Sequence, residues 1–448
     1  MNPLFLVAAL GGLVLVLLII RYPLLGIMLI VAVNPFDYML SQDLSVAMGR
    51  PLGVLVALGW LGRVVVSKRR TALTQQPFPN LLLLSFIAVM VAATAWSIVP
   101  EAGFPTVVTI GLLIAMAMFL QDFIETREDL LRLVWAIALV MGISAVLGVV
   151  QFRELQSGAK DVVGHYDAMR SGYRVSGLQK NPNGFALMVM SGLPFLLFLM
   201  QHARRLAARL GVLVLLVFSA AAIFMTVSRT HVLALFVFVL TYFALRLRSG
   251  RLGFGSLVLF LGMGAMLASM LLFLPEFVYQ RLVVSTLAGD MSTVARYHFF
   301  LKALDLVSSY PMLGVGVGAF SYYDPYRGMN PHDVFSFVLA GTGLLGTVVL
   351  SAIVLDSLLR MGLNIRRFAR TGDTTMSDLA TVILAAFLTM LVSGGGQIFL
   401  FQRMFWIYVG VSLALSRLQK TLERRAAEED AAGLLGADGS DPAGGPSP

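Results

Sequence analysis

Residues 80–98 read NLLLLSFIAVMVAATAWSI, a run without a single charged side chain. At about 1.5 Å of rise per residue, a helix of this length covers the roughly 30 Å hydrocarbon layer of a bilayer. A membrane β-strand is a poor alternative, because barrel strands alternate apolar and polar residues over about ten positions. Outward from this run, comparable segments lie at 3–20, 23–40, 51–67, 103–121, 133–150, 183–201, 210–227, 230–245, 252–274, 334–357, 377–397 and 400–416. The sequence therefore predicts an all-α, polytopic integral membrane protein with about 12–13 transmembrane helices. Composition points the same way. Of 448 residues, 58% are apolar and only 13% charged, with a mean hydropathy of +0.85, whereas soluble domains carry roughly 25% charged residues. A cytosolic enzyme and a disordered chain are excluded, and the absence of cysteine excludes a disulfide-stapled secreted domain. The first segment is too long and too weakly flanked by basic residues for a cleaved signal peptide, so it is expected to stay in the mature protein. Arg21-Tyr22-Pro23 reads either as a loop or as a break within a membrane-embedded hairpin.

Orientation follows from the cytoplasmic excess of Lys and Arg. Basic clusters at Lys68/Arg69/Arg70, Arg204/Arg205/Arg209, Arg246/Arg248/Arg251, Arg360/Arg366/Arg367/Arg370 and Arg417/Lys420/Arg424/Arg425 all fall on one face when the intervening spans are counted. The expected organisation is an N-terminal transmembrane bundle over 1–150 and a first outer segment over 151–182. Central transmembrane helices over 183–274, a second outer segment with an amphipathic helix over 275–333 and C-terminal transmembrane helices over 334–417 follow. The cytoplasmic tail, 418–448, is expected to be disordered from the Gly, Ala, Asp and Pro content of Ala431 to Pro448. The net charge of +9 is mostly orienting charge that phospholipid headgroups can balance, and it does not imply nucleic acid.

The two outer segments depart from this pattern. Arg153, Lys160, Arg170, Arg174 and Lys180 lie in the first, and Arg281, Arg296, Lys302 and Arg327 in the second. An outer vestibule with this much positive charge calls for an anionic ligand. Within Arg170-Ser-Gly-Tyr-Arg174-Val-Ser-Gly177-Leu-Gln-Lys180-Asn181-Pro-Asn183-Gly-Phe-Ala186, glycines and a proline interrupt the helix where the next span begins, so backbone N–H groups and guanidinium forks can converge. A plain helix cap with interfacial arginines is the competing reading. Arg229, in Ser228-Arg229-Thr230 between two spans, either snorkels to lipid phosphate or binds a phosphate ligand. From Ser292 to Ser309 the pattern predicts an amphipathic surface helix with Phe299, Phe300, Leu304 and Leu306 among its apolar residues. Gly314, Gly316 and Gly318 lack the strand and helix of a dinucleotide fingerprint and read as a tight turn that brings backbone close to a ligand.

His332, in Pro331-His332-Asp333, opens the span near 334–357. Its ordinary pKa of about 6.5 suits proton abstraction, although a lone histidine at an interface also serves simply as a polar boundary residue. His165 and His298 compete for the same role. The acidic residues of the outer segments form no Asp-x-Asp pair, and no two histidines sit at ligand spacing, so a metal-independent reaction without a cofactor is expected, with arginines supplying the positive charge.

In order along the chain, Arg174 through Ala186 with Gly177 and Asn183, Ser228-Arg229, Arg281 and Arg296 with Pro311-Met-Leu-Gly314-Val-Gly316, and His332 with Gly343 and Gly346 resemble the bacterial O-antigen ligase and O-antigen polymerase family of membrane glycosyltransferases. The likeness covers about 170–350. One departure is Asp333, where the family usually has Asn. The resemblance implies transfer of a glycan from undecaprenyl pyrophosphate to a sugar hydroxyl on the periplasmic face of the bacterial inner membrane. Lipid A core is the acceptor of a ligase, a second lipid-linked repeat that of a polymerase, and the ligase is favoured because no large soluble domain is attached. His332 is then the general base. Arg229 and Arg296 hold and stabilise the pyrophosphate, and Arg174, Arg281, Arg170 and Asn183 contribute to substrate binding. Inversion at the anomeric carbon follows, since no carboxylate nucleophile is evident. A transporter for an anionic lipid-linked substrate is the alternative from another class. It would show two related halves and charges at mid-span, which the sequence does not.

Overall fold

The computed structural model describes residues 3–36, 49–67, 71–157, 174–179, 181–250, 291–324 and 328–437, with single positions between 260 and 268. Among these, every regular element is helical: α1 (Pro3–Arg21), α2 (Pro23–Val33), α3 (Gly49–Ser67), α4 (Pro77–Ala95), α5 (Pro100–Phe123), α6 (Arg127–Gln156), α7 (Pro182–His202), α8 (Leu206–Met225), α9 (Arg229–Arg248), α10 (Met291–Ser309), α11 (Val334–Arg370), α12 (Thr374–Ser393) and α13 (Arg403–Ala437), with a few short turns. Eight of them, α4 to α9, α11 and α12, are long and apolar enough to cross a membrane, and Leu10–Arg21, Pro23–Phe36 and Pro51–Val65 are shorter apolar helices. The chain is a multi-pass, all-α membrane protein. The expected span at 252–274 falls almost wholly outside the described residues, as do Arg170, Arg281, His165, Lys160, Lys180 and Arg327.

Helix α7 is the centre of the bundle, buried over 89% of its apolar window, while α8 is buried over only 33% and presents the remainder outward. Its inward side chains, among them Phe185, Phe195 and Phe198, join Phe387 of α12 and Phe405 and Tyr408 of α13 in one core. In lipid there is little hydrophobic drive between helices, so association relies on close fit. Gly410 of α13 illustrates it: a Cβ there would lie 2.8 Å from the Ala117 carbonyl oxygen of α5.

Polar contacts sort the two ends of the bundle. At one end, Arg127 meets Asp373 at 2.6 Å, Arg417 meets Asp122 at 3.2 Å, Arg360 meets Asp356 at 2.6 Å, and Asp378 joins His202 and Arg246. Of the five basic clusters used for orientation, all except Lys68/Arg69/Arg70 and Arg251 lie among the described residues, and they gather at this basic end. At the other end, Ser97 donates to the Val315 carbonyl at 2.8 Å, Val334 N to Gly394 at 3.0 Å and Gln179 to Asn34 at 2.9 Å.

Helix α11 is interrupted at Gly343, with φ +63° and ψ −161°. The break receives the turn after α10: Val315 N donates to Ala340 O at 2.9 Å, and Leu344 N to Pro311 O at 2.9 Å. Gly314 and Gly343 face each other so closely that a Cβ on either would lie 2.7 Å from the other's backbone nitrogen. The glycine-rich turn was expected to approach a ligand. Gly314 and Gly316 instead approach other helices, and only Gly318 reaches the cavity described below. Gly343→Ala is expected to lower the unfolding free energy by at least about 1–3 kcal/mol from backbone conformation alone, measured as a drop in thermal stability of the solubilised protein.

Composition predicts disorder from 418, but α13 continues as helix to Ala437. Alanine-rich sequence favours helix, and i,i+4 partners support it: Arg424 meets Glu428 at 2.7 Å and Gln419 meets Glu423 at 3.0 Å.

Candidate functional site

Five chain segments meet at the end opposite the basic clusters. The first is the stretch 174–179, irregular to Ser176 and turning at Gly177, held by Val175 N donating to Met225 O at 3.2 Å. Arg174 is fixed twice, its Nε donating to Thr226 O at 2.7 Å and its Nη2 to Asn183 Oδ1 at 2.9 Å. Asn181 caps α7 by accepting from Gly184 N at 2.7 Å. Asn183 thus positions Arg174, a role as intermediary that its residue type permits and that the sequence did not reveal.

Between α8 and α9 the chain reverses through Thr226-Val227-Ser228. Val227 adopts φ +51°, a conformation that a β-branched side chain adopts only under strain and that is concentrated at functional sites. The reversal places half-buried Arg229 at the first position of α9 and His231 one half-turn later. His231 is fully buried, with Nδ1 2.7 Å from Ser228 Oγ. Its Nε2 has no hydrogen-bond partner among the described residues. Arg174 and Arg296 are both near enough to act on this ring electrostatically. His231 lies in the stretch the sequence assigned to a span. The signal that could have found it is the i,i+3 spacing from Ser228.

Helix α10 supplies Arg296, half-buried one turn into the helix. The helix forms where expected, but its apolar residues divide: Phe299 and Leu306 pack inward, while Phe300 and Leu304 are exposed. His298 next to Arg296 is engaged with buried Asp324, Nε2 to Oδ2 at 3.1 Å.

His332 lies just before α11. Its ring meets Phe299 edge-on at 6.5 Å between centroids, and it lines a cavity of about 510 Å³ walled by α5, the 318–322 and 329–331 stretches, Phe337 and the 398–401 turn. His332 is exposed to solvent, yet Phe299 and the cavity lining pack around its ring. Burial first, then the Arg296 guanidinium, push the His332 pKa below its ordinary value of 6.5, while Asp333 opposes them. A lowered pKa keeps the imidazole neutral at neutral pH, which a proton acceptor requires.

Asp333 has a structural task of its own: Oδ1 accepts from Ser336 N at 2.7 Å, capping α11. Asn caps nearly as well as Asp. Asp333→Asn is therefore expected to fold with wild-type stability. Because it removes the charge that raises the His332 pKa, the acidic limb of the pH–rate profile should move to lower pH, as full pH profiles of the two proteins will show.

The structure thus brings Arg174, Asn183, Arg296 and His332 to one end, with His231 in electrostatic reach of Arg174 and Arg296, Arg296 in reach of His332, and Arg229 two residues before His231 on the same reversal. Residues 213–351 match the family model described as O-antigen ligase. The match supports the resemblance to the O-antigen ligase and O-antigen polymerase family. Arg229, His231, Arg296, His332 and the Gly343 break all fall inside the matched stretch, while Arg174 and Asn183 come from outside it and complete the cluster from α7 and the irregular segment before it. No curated protein matches the chain significantly.

Proposed function

We propose that the protein is a membrane glycosyltransferase that moves a glycan from undecaprenyl pyrophosphate to a sugar hydroxyl, acting as an O-antigen ligase with lipid A core as acceptor. The observation that carries this reading is His332, a ring that lines the cavity and lies within electrostatic reach of Arg296, at one end of a bundle whose matched segment is of the O-antigen ligase type. The basic clusters at the opposite end support a site on the periplasmic face of the bacterial inner membrane and a cytoplasmic C-terminus. The domain organisation read from the sequence then gives an N-terminal bundle, 1–150, that scaffolds the site. Residues 151–182 and 275–333 contribute its outer parts, and 183–274 and 334–417 its transmembrane walls.

In the reaction, the acceptor hydroxyl oxygen attacks the anomeric carbon while the bond from that carbon to the pyrophosphate oxygen breaks. The bonding pair leaves with undecaprenyl pyrophosphate, and the hydroxyl proton passes to the neutral His332 ring. Negative charge grows on the pyrophosphate, where guanidinium forks from Arg174, Arg229 and Arg296 stabilise it more in the transition state than in the ground state. Arg281 and Arg170 are assigned to the same anionic substrate from their place in the outer segments. A single displacement inverts the anomeric centre.

Deletion of the gene in its host tests the ligase reading. Lipid-linked polymer should accumulate while lipid A core remains unsubstituted. Chains stopped at one repeat would identify a polymerase instead.

A further inference from the structure

The reversal between α8 and α9 sets the position of more than Arg229. Its carbonyls reach back to the stretch before α7: Met225 O accepts from Val175 N at 3.2 Å, and Thr226 O accepts from Arg174 Nε at 2.7 Å. One residue further on, Val227 holds φ +51°, a conformation that persists only where surrounding contacts over-determine it. Arg229 then opens α9. Two arginines from different segments therefore take their place from the single short stretch 225–229.

That stretch is fastened from α9. A serine at a helix N-cap usually accepts a hydrogen bond from a backbone N–H of the first turn, but the Ser228 side chain makes no such bond. Its hydroxyl lies 2.7 Å from His231 Nδ1 instead, and the contact closes whichever of the two donates. Thr226, Val227, Ser228 and His231 are all buried, so water does not compete for it. An apolar side chain could fill the space of this ring without leaving a buried nitrogen such as Nε2 unmet among the described residues. What histidine adds is the bond at Nδ1.

On the glycosyltransferase reading, which supplies the anion, we propose that His231 is a positioning residue: through Ser228 it clips the reversal into the shape that presents Arg174 and Arg229 to the pyrophosphate. The ring lies within electrostatic reach of Arg174 and Arg296, so the clip sits beside the cationic groups it organises.

The test uses the full-length protein in lipid nanodiscs and two measurements: affinity for undecaprenyl pyrophosphate, and steady-state transfer with the lipid-linked donor and the lipid A–core acceptor varied in turn. Asparagine puts its amide at the level of Nδ1, and glutamine puts its amide at the level of Nε2. His231→Asn is expected to keep affinity and donor KM within about threefold of wild type, because a hydrogen bond to Ser228 survives. His231→Gln, His231→Leu and Ser228→Ala should each weaken the affinity, raise the donor KM and lower kcat by about tenfold, as misplaced binding groups do, with the acceptor KM within about twofold. Ser228→Ala deletes one oxygen and covers the case in which a ring variant fails to fold. Combined with His231→Leu it should cost no more than either change alone, since both remove the same bond. The acidic limb of the pH–rate profile should stay in place, because the charged groups acting on His332 are Arg296 and Asp333.

An intact His231→Gln beside an impaired His231→Asn overturns the proposal in favour of a direct contact through Nε2. A lower kcat with unchanged affinity and donor KM overturns it in favour of a loss of folded enzyme, and unchanged values throughout overturn it outright. Wild-type protein that binds undecaprenyl pyrophosphate, with the variants in the expected order, yet forms no glycosidic bond defeats the transferase reading and leaves the clip standing. Wild-type protein that does not bind the pyrophosphate overturns both.

Discussion

His332→Ala is expected to reduce glycan transfer by about 10²–10⁴-fold, the usual worth of a positioned general base, while the donor still binds. Product formation and donor retention, measured on the same nanodisc preparation, separate the two. The pH dependence gives a second readout. Burial and Arg296 hold the His332 pKa below 6.5, with Asp333 opposing. The ring must be unprotonated to act, so the wild-type rate should fall as pH drops through that lowered pKa and be level above it. In the alanine variant the residual rate should lose this limb. A His332→Ala protein that folds, inserts and transfers at the normal rate would remove the base assignment.

Arg296 should give the second largest effect. Arg296→Gln is expected to lower the rate by about 10²–10³-fold, the range seen when one preorganised donor to a developing negative charge is removed. The same change should raise the His332 pKa, because the guanidinium is one of the groups depressing it. The acidic limb then shifts toward higher pH, opposite in sign to the shift expected for Asp333→Asn. Arg296→Lys retains a charge and loses the planar fork. It should be impaired in rate with a smaller displacement of the limb. A rate loss in both variants without any movement of the limb would place Arg296 on the substrate alone, away from the base.

Hydropathy made the helices legible, because crossing lipid demands long uninterrupted apolar runs that sequence displays directly. Charge position was legible for the same reason: Arg229 and His332 stand at the ends of such runs, and Arg174 and Arg296 in the segments between them. What connects them was not. His231 sits among Val232, Leu233 and Leu235 and reads as part of a span, and only the fold shows that its neighbours in space are Ser228, Arg174 from the stretch before α7 and Arg296 from α10. Asn183, expected in substrate binding, also holds Arg174 by accepting from its guanidinium, a contact no spacing rule shows. The cavity walls come from residues near 102–106, 318–337 and 398–401, too far apart in sequence for any spacing rule to join. Helix α13 runs on past 418 because residues 418–430 contain none of the Gly and Pro of the later tail and carry i,i+4 pairs such as Arg424–Glu428.

The seating of the 311–315 turn in the break of α11 has a consequence for how the protein can be re-engineered. The base-bearing start of α11 and the stretch leading to Tyr322 are hydrogen-bonded into one another through Ala340, Leu344 and Leu345, so the exchangeable unit is the whole of 311–346. A chimera that transplants His332 and its helix without the preceding turn leaves the Gly343 notch empty and strands the amides of Leu344 and Leu345. One that moves the unit intact carries the base and much of its cavity wall together.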